Sequence, residues 1–159
     1  MPSLKPAPGH SNDPKLKAPQ NHCFACGKDN EQGMHLEFII DEQTGEAVCH
    51  FELGRRFTGP PGHAHGGIIA TILDEAMGKI NKLLKVVALT REMRVEYLKP
   101  VPLDKPLTVS GRALKVEGRA HTNLAEITDD QGRVLARSTG VFMAVDAARM
   151  FSKFVNRPT

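Results

Sequence analysis

One stretch governs what this chain can fold into: GPPGHAHGGIIATILDEAMGKI, residues 59–80. After a turn-forming cluster and a pair of glycines, Ile69, Ile72, Leu73, Ala76, Met77 and Ile80 recur as a single apolar stripe at 3.6 residues per turn. Lys79, Lys82 and Lys85 gather near the end of the pattern, where cations complement the helix dipole. The spacing predicts one long helix that must bury its stripe against something. Most of the remaining chain reads at strand period, so that something is a sheet.

Before the helix, Met34, Leu36, Phe38 and Ile40 alternate with His35, Glu37 and Ile39, which predicts a strand. DEQTGE then reads as a hairpin turn, and Val48–Leu53 as a second short strand. After the helix, VVALTREMRVEYLKP alternates through Leu89, Arg91, Met93, Val95 and Tyr97, and a proline-rich KPVPLDKP closes it. LTVSGRALKVEG, HTNLAEITDDQG and RVLARSTGVFMAVD read as three more strands, separated by EGR and DDQG turns. The closing AARMFSKFVNRPT is amphipathic and suits a last helical turn or two. Two strands, a helix and four strands lack βαβ alternation, so the predicted class is α+β, one helix on about six antiparallel strands. A lone helix covers one sheet face. The uncovered edge and apolar surface predict pairing with a second copy of the chain.

Length sets one domain, with 159 residues in all. Residues 1–20 hold five prolines and few large apolar side chains, so a flexible tail is expected there and a single folded domain over 21–159. The 21 basic and 18 acidic residues leave a net charge of +3, with no clustered basic stripe, no Trp and one Tyr. That balance argues against a nucleic-acid partner. A mildly basic surface does suit a phosphorylated small molecule. No stretch has the length of a membrane span or the pattern of a secretory leader, and three cysteines make a poor disulfide framework. The expectation is a cytoplasmic protein without a membrane partner.

The residues able to do chemistry sit around the helix start. Gly66 and Gly67 let a backbone approach a ligand closely, and the first helical N–H groups are a seat for a carbonyl oxygen gaining negative charge. The same pair also serves tight packing alone. Asp74 lies beside the apolar stripe, on a strip of small residues with Ala70 and Gly78 at i±4 and Thr71 adjacent. There a carboxylate is suited to act as nucleophile or to activate water, or else to sit solvated beside Glu75. His65 precedes the glycines and is placed to hydrogen-bond a carbonyl. His63 makes HAH, a weak metal pair with no zinc-like spacing around it. HCFACG contains a C-x2-C pair, Cys23 and Cys26, near His22, His35 and Cys49-His50; the second ligand pair is imperfect. The reading is a turn with two buried thiols and no metal.

Three segments, CFACGKDNEQGMHLEF, GPPGHAHGGIIATILDEAMG and ALTREMRVEYLKPVPL, together resemble the hotdog-fold acyl-CoA thioesterases of the phenylacetate-degradation (PaaI-like) group. The likeness runs from about Cys23 to Val145. It implies a long central helix wrapped by a curved antiparallel sheet, and a homodimer, or a homotetramer built from it, with active sites shared between subunits. It implies hydrolysis of an acyl-CoA thioester with no metal and no cofactor. Asp74 takes the place of the family's acid, Gly66 with Gly67 that of the amide polarising the carbonyl, and His65 that of the positioning histidine. Thr90, sixteen positions after Asp74, takes the place of a hydroxyl that reaches across the dimer to hold the attacking water. Ala70, Thr71, Met77, Gly78 and Arg94 are the expected substrate contacts, and Arg55, Arg56, Lys99 and Arg112 join Arg94 as candidates for the coenzyme phosphates. His63 departs from the apolar residue expected in the loop, and Glu75 is a rival acid. A non-catalytic acyl-CoA or lipid-binding module acting as a sensor is the alternative; a hydratase fits HGG-x6-D poorly.

Overall fold

A computed structural model describes residues 20–155. The proline-rich segment expected to be a flexible tail lies, but for Gln20, outside the described residues. The elements are β1 (Ile39–Asp41), β2 (Glu46–Phe51), a 3-10 turn (Arg55–Phe57), α1 (Gly66–Leu83), β3 (Ala88–Tyr97), β4 (Leu107–Glu117), β5 (Ala120–Asp129), β6 (Val134–Ala144) and α2 (Ala147–Val155). The six strands form one antiparallel sheet in the order β1-β2-β4-β5-β6-β3. This is the predicted α+β layout. The sheet curves round α1, which packs against β2, β3, β4, β5 and β6.

The predicted stripe is the one that is buried. Ile72, Leu73, Ala76, Met77 and Ile80 are fully inaccessible, and the first four share a core cluster with Leu107, Val109, Ala125, Ile127 and Phe142 from the sheet. Each large side chain so buried contributes about 1.5–3 kcal/mol relative to exposure. The helix lies so low on β4 that a Cβ at Gly111 would sit 2.6 Å from the Ala76 carbonyl oxygen. Only glycine admits that approach. Asn123 of β5 donates its Nδ2 to the Met77 carbonyl (3.0 Å) and to Asn81 Oδ1 (2.9 Å), tying the helix to the sheet in the dry interior.

One predicted strand is largely missing. Residues 34–38 alternate as expected, with Leu36 buried and Met34 and Phe38 packed on the core, yet only Ile39–Asp41 joins the sheet. Met34 N–H donates to the Phe24 carbonyl and Leu36 N–H to the Ala25 carbonyl, and His35 takes a left-handed φ of 54°. The segment therefore binds the C-x2-C turn instead of β2. At the far end of the sheet, β3 pairs with β6 on one side only, leaving ten residues of open edge.

Candidate active site

The helix start is held before the helix begins. His65 N–H donates to the Phe57 carbonyl (2.9 Å) and Ala64 N–H to the Val101 carbonyl (2.8 Å), which fixes the loop. His65 is the N-cap: its Nδ1 accepts the Gly67 N–H at 2.9 Å, from an extended backbone at φ −64°, ψ 139°. A Cβ at Gly67 would press on that imidazole at 3.1 Å, so the glycine and the cap go together. Two consequences follow for the helix start. The Gly67 N–H is used by the cap, which leaves the Gly66 N–H as the donor without a partner among the described residues. And because Nδ1 accepts, the neutral ring carries its hydrogen on Nε2, which is the atom left to meet a ligand.

Tyr97, at the end of β3, donates its hydroxyl to the Gly66 carbonyl at 3.0 Å and pins the first helical peptide. Its place in the alternation of VVALTREMRVEYLKP was visible from sequence, but no role was assigned to it.

Asp74 is half-buried, and Thr90 Oγ1 donates to its Oδ1 at 2.7 Å. Burial raises the proton affinity of the carboxyl, the Thr90 hydrogen bond lowers it, and the charge of Glu75 raises it; the net shift from 3.8 is upward. Glu75 differs. It is engaged with Lys79 Nζ at 3.0 Å on the neighbouring face. Gly78 has nothing within 4 Å of where a Cβ would stand, so the strip beside Asp74 is open, while Ala70 is half-buried.

Thr90 was expected to reach the Asp74 of a second copy. The structure places it on the Asp74 of its own chain instead, because β3 folds straight back along α1 after the turn at 84–87. The glycine pair and Asp74, by contrast, do not meet within one chain. Eight residues at about 1.5 Å each separate Gly66 from Asp74 by about 12 Å along the axis. One thioester carbonyl cannot touch both.

The remaining expected contacts divide. Met77 is fully buried against Gly140 and belongs to the core. Thr71 Oγ1 donates back to the Gly67 carbonyl at 2.9 Å. Arg94 is exposed on the edge strand, 3.8 Å from Glu96, while Arg56 is committed to the Gln32 and Gly33 carbonyls. Arg55, Lys99 and Arg112 are exposed. His63 turns its Nδ1 to the Pro61 carbonyl at 2.9 Å, away from His65's role. The C-x2-C turn is also corrected: Cys23 is exposed and Cys26 half-buried, because the turn sits over α1 beside Glu75 and Lys79 instead of inside the core.

Comparison with known proteins agrees with this fold. A family model described as Thioesterase superfamily matches residues 61–136. Acyl-coenzyme A thioesterase THEM4 of Rattus norvegicus is 30% identical over 119 residues, 73% of this chain and 51% of the relative. The chain thus spans about half the length of the curated relatives it matches. A crystal structure of a thioesterase superfamily protein superposes with a TM-score of 0.74 at 29% identity, covering 77% of this chain and 60% of that one. A Streptococcus mutans protein bound to acetyl CoA shares the fold, with a TM-score of 0.65 at 22% identity over 69% of this chain and 88% of that one. With its helix wrapped by six antiparallel strands, the chain has the hotdog fold, and its HGG-x6-D segment lies inside the stretch that matches the Thioesterase superfamily.

Proposed function

We propose that this chain is an acyl-CoA thioesterase whose active site is completed by a second copy of itself. The observation that carries the reading is Asp74: a carboxylate with raised proton affinity and no cation against it among the described residues, hydrogen-bonded by Thr90 beside an open strip. A core helix has no packing reason to hold such a group. A base that must take a proton from water does.

Thr90 donates to Asp74 Oδ1, so its oxygen lone pairs and Asp74 Oδ2 are left to hold the attacking water. Asp74 takes a proton from that water as its oxygen attacks the thioester carbonyl. The carbonyl oxygen becomes an oxyanion and is met by the Gly66 N–H at the helix start of the second copy, with His65 Nε2–H beside it. The tetrahedral species collapses, the C–S bond breaks, and the coenzyme thiolate receives the proton held on Asp74. Nothing else is consumed.

The two halves come together if the open edges of β3 pair across a two-fold axis. Val87, Leu89, Tyr97 and Leu98 are exposed along or beside that strand, and an unpaired edge of this length calls for a partner. Antiparallel pairing sets the two α1 helices in opposite directions, each N-terminus beside the other's Asp74. A homotetramer is a pairing of such dimers. Exposed Arg55, Arg94, Lys99 and Arg112 are the candidates for the coenzyme phosphates. Free cysteines suit a reducing cytoplasmic setting, and no described helix is long and apolar enough to cross a membrane.

The test is turnover of an acyl-CoA panel, from acetyl through long-chain and aryl-acetyl thioesters, followed with a thiol-trapping dye. Turnover that Asp74→Asn reduces by about 10²-fold or more supports the reading. Tight acyl-CoA binding without turnover in the parent chain makes it the sensor module instead.

A further inference from the structure

Outside the Asp74 site, one cluster of reactive side chains is left without a use. Cys23, Cys26 and Glu75 each offer one ligand atom, and the three atoms lie within 4.8 Å of one another. They come from two parts of the chain: the cysteines from the turn at 21–33, the glutamate from the middle of α1. Nothing in the core explains the convergence, since Cys23 is exposed.

The turn is built to hold its shape. Gly27 N–H donates to the Cys23 carbonyl at 2.8 Å, and a Cβ at Gly27 would lie 2.4 Å from Cys23 N and 2.5 Å from its carbonyl oxygen, so no side chain fits after Cys26. Asn21 Oδ1 accepts the Cys23 N–H (3.1 Å), Asp29 Oδ2 accepts the Asn21 N–H (2.7 Å), and Asn30 Nδ2 donates to the His22 carbonyl (3.2 Å). Two thiols on a C-x2-C-G turn pinned in this way converge on one side. A cation already sits against the cluster. Lys79 Nζ lies 3.1 Å from Cys26 Sγ and 3.0 Å from Glu75 Oε1, with the Phe38 ring 5.7 Å away.

We propose that Cys23, Cys26 and Glu75 form a binding site for one thiophilic divalent cation of the zinc type, with the Lys79 ammonium holding the place until the metal arrives. Two thiolates and a carboxylate are three of the four ligands of a tetrahedral zinc site, at about 2.3 Å for sulfur and 2.0–2.2 Å for oxygen, leaving the fourth position to water. Ligand atoms in such a site stand about 3.7 Å apart, so the present cluster needs to contract by about 1 Å at most. Charge favours the exchange. A divalent ion with two thiolates and one carboxylate carries −1, and the displaced Lys79 remains on the neighbouring turn to balance it. Both thiols give their protons to solvent, so two protons leave for each metal bound. Because both thiols must lose their protons, affinity climbs as pH rises. The ion would fasten the 21–33 turn to α1 at the residue next to Asp74. The proposal stands on its own residues and does not need the thioesterase reading.

Cobalt(II) is the probe, titrated into the reduced, chelator-treated full chain. The expected result is one cobalt per chain, a thiolate-to-cobalt charge-transfer band in the near ultraviolet, two protons released per cobalt, and bleaching of the band by zinc. Cys26→Ser and Cys23→Ser lose the band. Glu75→Gln weakens binding by about tenfold or more, whereas Lys79→Gln keeps the band. Because Cys23 is exposed, Cys23→Ser leaves the fold undisturbed by circular dichroism and decides the matter if Cys26→Ser misfolds. No band at saturating cobalt, a band that survives both serine variants, or a Glu75→Gln affinity equal to the parent's overturns the three-ligand site.

Discussion

The 12 Å between Gly66 and Asp74 makes a prediction about who supplies what. Gly66 is the first helical residue, where proline is well tolerated because the lost N–H has no intrahelical partner. His65 before it already sits at φ −64°, ψ 139°, the extended conformation a residue preceding proline prefers. Gly66→Pro therefore deletes the proposed oxyanion donor while keeping the helix. Its loss is expected to cost about 10²–10³-fold in kcat, and Asp74→Asn about 10²-fold or more. Each homodimer alone thus keeps at most about 1% of parental activity. In a heterodimer of the two, one site has the Asp74 of the proline chain facing the Gly66 of the asparagine chain, and it is whole. The other site lacks both groups. After complete subunit exchange from a 1:1 mixture, about half of the dimers are heterodimers with one working site in two, so about one quarter of parental activity returns. Thiol release from acyl-CoA, with exchange followed by native mass spectrometry on chains of different mass, reads it directly. The same mixture of Asp74→Asn with Thr90→Val restores nothing, since those two residues share a chain. Exchange without recovery in the proline pair refutes the shared site; recovery in the threonine pair refutes the in-chain contact.

The remaining predictions concern charge and packing. Activity requires Asp74 ionised, and its proton affinity is raised by burial, so the acid limb of kcat/KM lies above the ordinary carboxylate value of 3.8. Thr90→Val removes a stabilising hydrogen bond and moves that limb up, whereas Glu75→Gln removes a like charge and moves it down; opposite displacements would refute the assignment. An elevated carboxylate costs the fold stability as pH rises through the window from 3.8 to its raised value, and the cost is complete above it. Asp74→Asn is accordingly expected to melt no lower than the parent at pH 7 while inactive, with any advantage fading as pH falls through that window and absent below pH 3.8 in thermal scans. Gly111→Ala, by contrast, drives a methyl to 2.6 Å from the Ala76 carbonyl oxygen and is expected to lose about 1–3 kcal/mol in urea unfolding.

Periodicity made the helix legible, because a stripe at 3.6 residues per turn reports directly which face is buried, and the residues of that stripe are the core. It also exposed Asp74, whose place beside the stripe is a local property of the helix. The errors share a different cause. At residues 34–38 the alternation measured burial correctly, but burial does not name the backbone partner, and the hydrogen bonds went to Phe24 and Ala25. Thr90 was expected to face the Asp74 of a second copy and meets that of its own chain, since spacing along the sequence cannot say that β3 returns beside its own helix. Gly67 was set beside Gly66 at the carbonyl seat, and spacing could not show that the His65 imidazole takes its N–H.

Glu75 shows most plainly why the rest was hidden. From sequence it was a rival to Asp74, one position along the same helix. One position is about 100° of rotation, which turns the two carboxylates towards different surroundings. Asp74 faces Thr90 and an open strip, with no cation against it among the described residues, so its burial is left uncompensated and its proton affinity rises. Glu75 faces Lys79 and two cysteines 49 and 52 residues earlier in the chain, so its charge is matched on the spot. The same residue type at adjacent positions becomes a candidate base in one case and a candidate ligand in the other. What separates them is the tertiary neighbour each one meets, and no pattern within the helix carries that information.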